Sequence, residues 1–309
     1  MVAFPPNPVT LSGDNLTASR FLESPTLVAR RLQELAQLRY IGTMILKGRV
    51  AASGGSVLYE QVEALFADKA PEAVAPGANY TRTTASDGPA ALAKVTKQGE
   101  DLVVTDEAIA RRKMDPIVKG TRKLVNSTAS QLDATVIAAV ASQVTANANA
   151  VAKWDRSGGA AAVLQDIMLA IASITGQNLG YNPDLLLVDD TTWAYLASDT
   201  TIAAAMARED KSNPIYSGRF EVLSGLEIVH VPAANLPGGV GTSAWVLDSS
   251  QLGYLAFENL GGGYQSAGEL IESKVIRDED NDQWRVRART NFVPIVTDPL
   301  AGYKINTVR

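Results

Sequence analysis

Val104 to Gln143 reads VTDEAIARRKMDPIVKGTRKLVNSTASQLDATVIAAVASQ, and the rest of the chain is organised around it. At about 100° per residue, Met114, Val118, Thr121, Val125, Ala129, Leu132, Val136 and Val140 fall on one stripe. Arg112, Lys119, Lys123, Ser127, Ser130 and Asp133 fall away from it. That pattern predicts an amphipathic helix with a continuous apolar seam. Asp115-Pro116 divides the stretch, because proline is tolerated in the first helical turn and aspartate is a favoured cap. The expectation is a short helix over about 106–113 capped by Thr105, then a long one from Pro116, about 40 Å in length. No catalytic group stands out along it.

Upstream, Phe4-Pro5-Pro6-Asn7-Pro8 favours extended backbone, either a tail or an arm that orders against a neighbour. Ser24-Pro25 opens a predicted helix running to Arg39, and Gly42 and Gly48 end its regularity. Between Arg49 and Asp101, strands are expected at 57–62, 79–84 and 91–96, around a Pro/Gly-rich tip at 67–77. This segment of about fifty residues carries little apolar material, and loops of that length are usually functional. A lone two-stranded ribbon is marginal in water. The expectation is therefore a ribbon that projects and rests on another subunit.

Downstream, Val151–Gly158 is a connector with Trp154. Residues 160–175 are apolar nearly all round and predict a buried helix. Strands follow at 184–189, 226–231, 244–248 and 254–257, with short helices at 191–197 and 200–208, so 151–263 reads as an α/β block with its own core. Glu269 to Val296 alternates in two runs about a polar turn, Asp278-Glu279-Asp280-Asn281-Asp282. This is a long antiparallel hairpin with arms of about 25 Å. A last strand lies near 303–308.

Bulk properties narrow the function. The 309 residues carry a net charge of −5, which disfavours strong general binding to phosphates. There is no cysteine, hence no disulfide or thiolate chemistry. No apolar run reaches membrane-spanning length, and no secretion signal is expected at the start.

Candidate chemistry is sparse, and no catalytic, cofactor-binding or metal residue is assigned. His230, the only histidine, sits in a predicted strand without a G-x-S-x-G or H-E-x-x-H motif, so a structural role is expected. Asp278, Asp280 and Asp282 copy the opening of a calcium loop. Gln283 stands where glycine is needed and Arg289 where a carboxylate should close the shell, so a hairpin turn is expected instead. Gly261-Gly262-Gly263 matches no phosphate-binding pattern and reads as a corner. Arg111, Arg112, Lys113, Lys119, Arg122 and Lys123 make a basic helix face. The hypothesis is that it meets Glu60, Glu63, Asp68 and Glu72 in the ribbon of another subunit.

Several stretches, taken in their order, carry a family resemblance. They are Val103-Val104-Thr105-Asp106-Glu107-Ala108, Asn182-Pro183-Asp184-Leu185-Leu186-Leu187-Val188, Gly225-Leu226-Glu227-Ile228-Val229-His230-Val231-Pro232, and Ile276-Arg277-Asp278-Glu279-Asp280 running to Arg289-Thr290. Over nearly its whole length the chain resembles the major capsid protein of tailed bacteriophages. The resemblance implies an α+β fold of the Hong Kong 97 type. Its parts would be an N-terminal arm and helix (1–40) and an extended β-hairpin loop (41–104). A peripheral domain with a long spine helix would span 105–150 and 264–296, and an axial domain 151–263 and 297–309.

The function implied is structural, with no enzymatic activity and no cofactor. Hexamers and pentamers of the chain would close an icosahedral shell, assembled in the host cytoplasm, around double-stranded DNA contacted only weakly. The partners implied are copies of itself, with a portal, a decoration protein and a separate scaffold, or no scaffold at all. No membrane is involved. Lys69 is a possible donor for the isopeptide crosslink of some members, but no acceptor stands out and crosslinking is not expected. An encapsulin-type nanocompartment shell is the alternative. A soluble α/β enzyme with its site in 151–263 is a third reading, disfavoured by the missing acid–base and metal constellations.

Overall fold

The computed structural model describes residues 21–37, 41–61, 73–80, 90–155, 162–199, 202, 221–232, 242–267 and 271–309. In chain order, helix α1 (Pro25–Gln37) and a single turn, α2 (Gly42–Ile45), precede strands β1 (Gly48–Ala51), β2 (Ser56–Glu60), β3 (Ala90–Lys94) and β4 (Thr96–Thr105). Helices α3 (Asp106–Arg112) and α4 (Asp115–Gln143) follow, then β5 (Asn147–Asn149), α5 (Val163–Thr175), β6 (Leu185–Asp189) and α6 (Asp190–Ala197). The remaining strands are β7 (Val222–Leu223), β8 (Leu226–Val231), β9 (Ala244–Leu247), β10 (Gly253–Phe257), β11 (Gln265–Ala267), β12 (Ile271–Asp278), β13 (Gln283–Val296) and β14 (Gly302–Asn306).

The central stretch folds as its pattern predicts. Thr105 caps α3 by accepting from the Ala108 N–H at 3.3 Å, and Lys113, at φ 55°, breaks the chain before α4. From Thr121 to Val140 the expected seam is buried. Two positions differ. Val118 is exposed, because the first turn of α4 buries Ile117 instead. Asp133, expected on the polar side, is 2% exposed. Its Oδ1 accepts the N–H groups of Ile41 at 3.0 Å and Gly42 at 2.7 Å, which satisfies a carboxylate that the helix pattern alone would place in water.

The chain forms two compact units. One comprises 1–39, 97–129 and 259–291. Within it α1 packs on β11 and β12, the hairpin β12–β13 pairs Glu272 with Arg289 through Asp278 with Gln283, and β4 joins β13. The sequence reading ended the ribbon at polar Lys97-Gln98-Gly99-Glu100, yet these residues lie inside the ten-residue β4. Gly99 permits this approach, since a Cβ there would stand 2.9 Å from the Ala288 carbonyl oxygen.

The second unit comprises 40–96, 130–258 and 292–309. Its six-stranded sheet has the order β5-β14-β9-β6-β8-β7. Strand β6 is parallel to β8 and antiparallel to β9; its apolar run Leu185–Val188 is buried, as is Asp189, which caps α6 by accepting from the Thr192 N–H. Helix α5 covers β14 and β9 with Ile167, Ala170 and Ile174, and α6 lies against β6 and β8. Strand β10 does not join this sheet; it pairs with the end of β13 and, in parallel, with β1.

The two-stranded ribbon of this unit is β2 with β3, Leu58 opposite Leu92. The partner of the first ribbon strand is therefore 90–94, and the described part of the stretch expected at 79–84 is not a strand. The N-terminal arm, Lys69, Glu63, Asp68, Glu72 and nearly all of the 200–208 helix lie outside the described residues.

Candidate functional site

The described chemistry-bearing residues singled out above are scattered. His230, on β8, places Nδ1 2.7 Å from Oδ1 of Asp190 at the start of α6, with the Trp193 ring 5.1 Å away. This pair is exposed. Among the described residues no group of three or more His, Asp or Glu side chains could hold a metal ion.

The Asp278–Asp282 run is a turn. Asp278 Oδ2 accepts from Asn281 and Gln283, Asp282 adopts φ 47°, and its carbonyl receives the N–H of Asp106 at 3.0 Å. The run thus anchors the start of α3. At Gly261-Gly262-Gly263 all three φ values are positive. The carbonyls, not the N–H groups, face cations: Arg289 Nη2 donates to Gly261 at 2.8 Å and Lys274 Nζ to Gly262 at 3.0 Å. The loop is thus a corner pinned through its carbonyls.

The basic helix face is exposed at Arg111, Arg112, Lys113, Lys119, Arg122 and Lys123. Lys119 bonds Asp115 one turn earlier at 2.7 Å, an exposed pair of small energetic value.

Arginines of the predicted hairpin, to which the sequence assigns no partners, are paired with carboxylates on neighbouring elements. Arg287 makes a two-pronged contact with Asp101 on β4, at 2.6 and 2.7 Å. Arg277 grips Asp106 at the start of α3, at 2.7 Å twice. Arg289 reaches Glu272 on β12 at 2.5 Å and lies 3.5 Å over the Tyr264 ring, with Asn291 donating to the same carboxylate oxygen. The Arg287 guanidinium holds the Asp101 carboxyl below its ordinary range, outweighing the opposing effect of burial. The Arg277 guanidinium does the same for Asp106. The available signal was compositional: three of the alternating positions are arginine, the residue suited to fixed, two-pronged carboxylate pairing.

In the other unit, Lys47 Nζ and Ser249 Oγ both donate to Asp184 Oδ2, at 2.7 and 2.6 Å. Burial alone would raise the Asp184 carboxyl, but these donors carry it below its usual value. Tyr181 Oη donates to Asp298, and burial followed by that carboxylate pushes the phenol up. These contacts fasten loops to strands. In each of these contacts a charged group holds a loop, a strand or the start of a helix in place.

The comparisons agree with that character. A family model described as phage capsid protein matches residues 88–305. No curated protein sequence matches the chain. Among solved structures, the capsid of Cyanophage P-SCSP1u aligns over 86% of this chain and 88% of its own, at 14% identity and a TM-score of 0.61. A phage-related protein from Bordetella bronchiseptica RB50 aligns over 90% and 96%, at 15% identity and 0.57. The SrpI encapsulin of Synechococcus elongatus PCC 7942 aligns over 89% and 87%, at 12% identity and 0.54. At these identities the likeness is one of fold, and the fold is the α+β Hong Kong 97-type capsid fold expected from the sequence. Because the family match takes in well over half of its residues, the chain belongs to the phage capsid protein family.

Proposed function

We propose that this protein is the major shell subunit of a tailed phage, without enzymatic activity. Its copies assemble through hexamers and pentamers into an icosahedral container for double-stranded DNA, in the host cytoplasm. The observation that carries the reading is the ribbon. Leu58 and Leu92, opposite each other on β2 and β3, are 69% and 59% exposed. Two strands alone are marginal in water, and an apolar pair on their open face is stabilised only by a partner. Membership of a capsid family supplies that partner as another copy. The division into arm, extended loop, peripheral domain and axial domain, at the boundaries given above, is part of this proposal. So are a portal, a decoration protein and a separate scaffold as further partners.

The alternative is an encapsulin-type shell, supported by the SrpI likeness. Negative-stain images of particles purified from an infected or expressing host, with their contents analysed, test both. Closed particles filled with double-stranded DNA support the capsid reading. Closed particles holding a docked enzyme support the alternative, and an absence of particles overturns both.

A further inference from the structure

Helix α5 was expected to be buried all round, and it is not. Its inner side holds Val163, Ile167, Ala170 and Ile174. Its outer side exposes Leu164, Gln165, Met168, Leu169, Ala172, Ser173 and Thr175, with Leu164 42%, Met168 54% and Leu169 56% exposed. No charged residue lies on that side. The only charge in the helix, Asp166, is turned inward, where it accepts from Trp154 Nε1 at 3.0 Å and from the Val151 N–H at 3.1 Å. The second bond holds the backbone of Val151, itself 64% exposed, beside the helix. A 13-residue helix with a fully uncharged outer side is not the pattern of a solvated surface helix, whose outer face is polar and charged.

Taking the shell reading as given, we infer that the outer face of α5, with Val151, is a contact between copies of this chain. The four side chains expose on the order of 400 Å² of apolar surface, about the largest patch a lone soluble protein carries. A stable interface buries roughly 800 Å² per partner, so this face is the apolar core of a contact. Gln165, Ser173 and Thr175 supply the uncharged polar rim that such cores have. A phosphate-bearing ligand finds no cation on the face. A membrane surface would call for lysines or arginines flanking the apolar side. A neutral face repeated on every copy, by contrast, meets a neighbouring copy with no like-charge repulsion and no charge left unpaired.

The thioether of Met168 makes the inference measurable on the unaltered protein. Methionine sulfur exposed to water is oxidised by hydrogen peroxide to the sulfoxide, and covering it slows the reaction. Shells containing this polypeptide alone and the same chain dissociated in mild denaturant are treated with peroxide, and Met168 sulfoxide is quantified by peptide mass spectrometry. The expected result is oxidation slowed about tenfold or more in shells relative to dissociated subunits. The double variant Leu164→Glu, Leu169→Glu is expected to keep the unaltered circular dichroism spectrum and to sediment as small species. Equal oxidation of Met168 in intact shells and free subunits overturns the inference while leaving the shell reading standing. Normal assembly of the double variant does the same. Failure of the unaltered chain to form particles overturns the shell reading and this inference with it.

Discussion

Asp133 offers a perturbation whose sign and size follow from its surroundings. Burial pushes its carboxyl up to about 6, an effect the Gly42 and Ile41 N–H groups offset only in part. In the unfolded chain the group titrates at its ordinary value near 3.8. The folded value is the higher one, so its contribution to stability is fully present below pH 3.8 and is lost as pH rises through about 6. The difference between 3.8 and about 6 corresponds to roughly 3 kcal/mol. Asp133→Asn keeps an oxygen for both N–H groups but carries no charge, and so abolishes this dependence. At pH 7.5 the variant should equal the parent or exceed it by up to about 2 kcal/mol, the amide NH₂ offsetting part of the gain if it lacks a partner. At pH 4 the parent should be the more stable. Asp133→Ala removes the oxygen that accepts both N–H groups and should lose about 2 kcal/mol at pH 4. Urea unfolding of dissociated subunits, followed by tryptophan fluorescence at fixed protein concentration, measures all three from pH 4 to 7.5. Identical pH slopes for the parent and Asp133→Asn would refute the reasoning, because Asp133 would then titrate alike in the folded and unfolded chains.

Three further outcomes follow from the same structure. Glu272→Ala strands the buried Arg289 guanidinium and should cost about 3–5 kcal/mol in unfolding free energy, whereas Glu272→Gln, which keeps an acceptor, should cost less; equal losses would remove the charge argument. Gly253→Ala would place a Cβ 2.1 Å from the Ile295 carbonyl oxygen, forcing β10 from β13. The expected destabilisation is about 3 kcal/mol or more by thermal melting, and an unchanged melt contradicts this register. Arg111→Glu with Arg112→Glu should impair assembly in low salt if ribbon acids of a neighbour meet that face, and unaltered sedimentation at low ionic strength would rule the pairing out.

What could be read from residues alone was whatever a local period or cap encodes. The α3–α4 break just before Asp115-Pro116, the apolar run of β6, the alternating β8 and the β12–β13 hairpin each carry their own signal within one element. What could not be read depends on partners distant in sequence. Asp133 was placed in water because helix periodicity does not register two N–H groups 91 and 92 residues away. The carboxylate partners of Arg277 and Arg287 are not legible in the hairpin, because alternation says nothing about β4 and the start of α3 lying alongside. The pairing of β2 with β3 was not legible, since three extended stretches around the tip at 67–77 do not say which two pair. The outer face of α5 was misread for the opposite reason: an all-apolar helix implies burial, but not burial within its own chain.

The central claim is that this polypeptide completes its structure by being tiled with copies of itself. Sedimentation velocity of the purified chain over a range of concentrations tests it most directly. The account predicts capsomer-sized species and megadalton particles. A single species of about 33 kDa that persists at the highest concentration, with the β2–β3 ribbon resistant to protease, would contradict it.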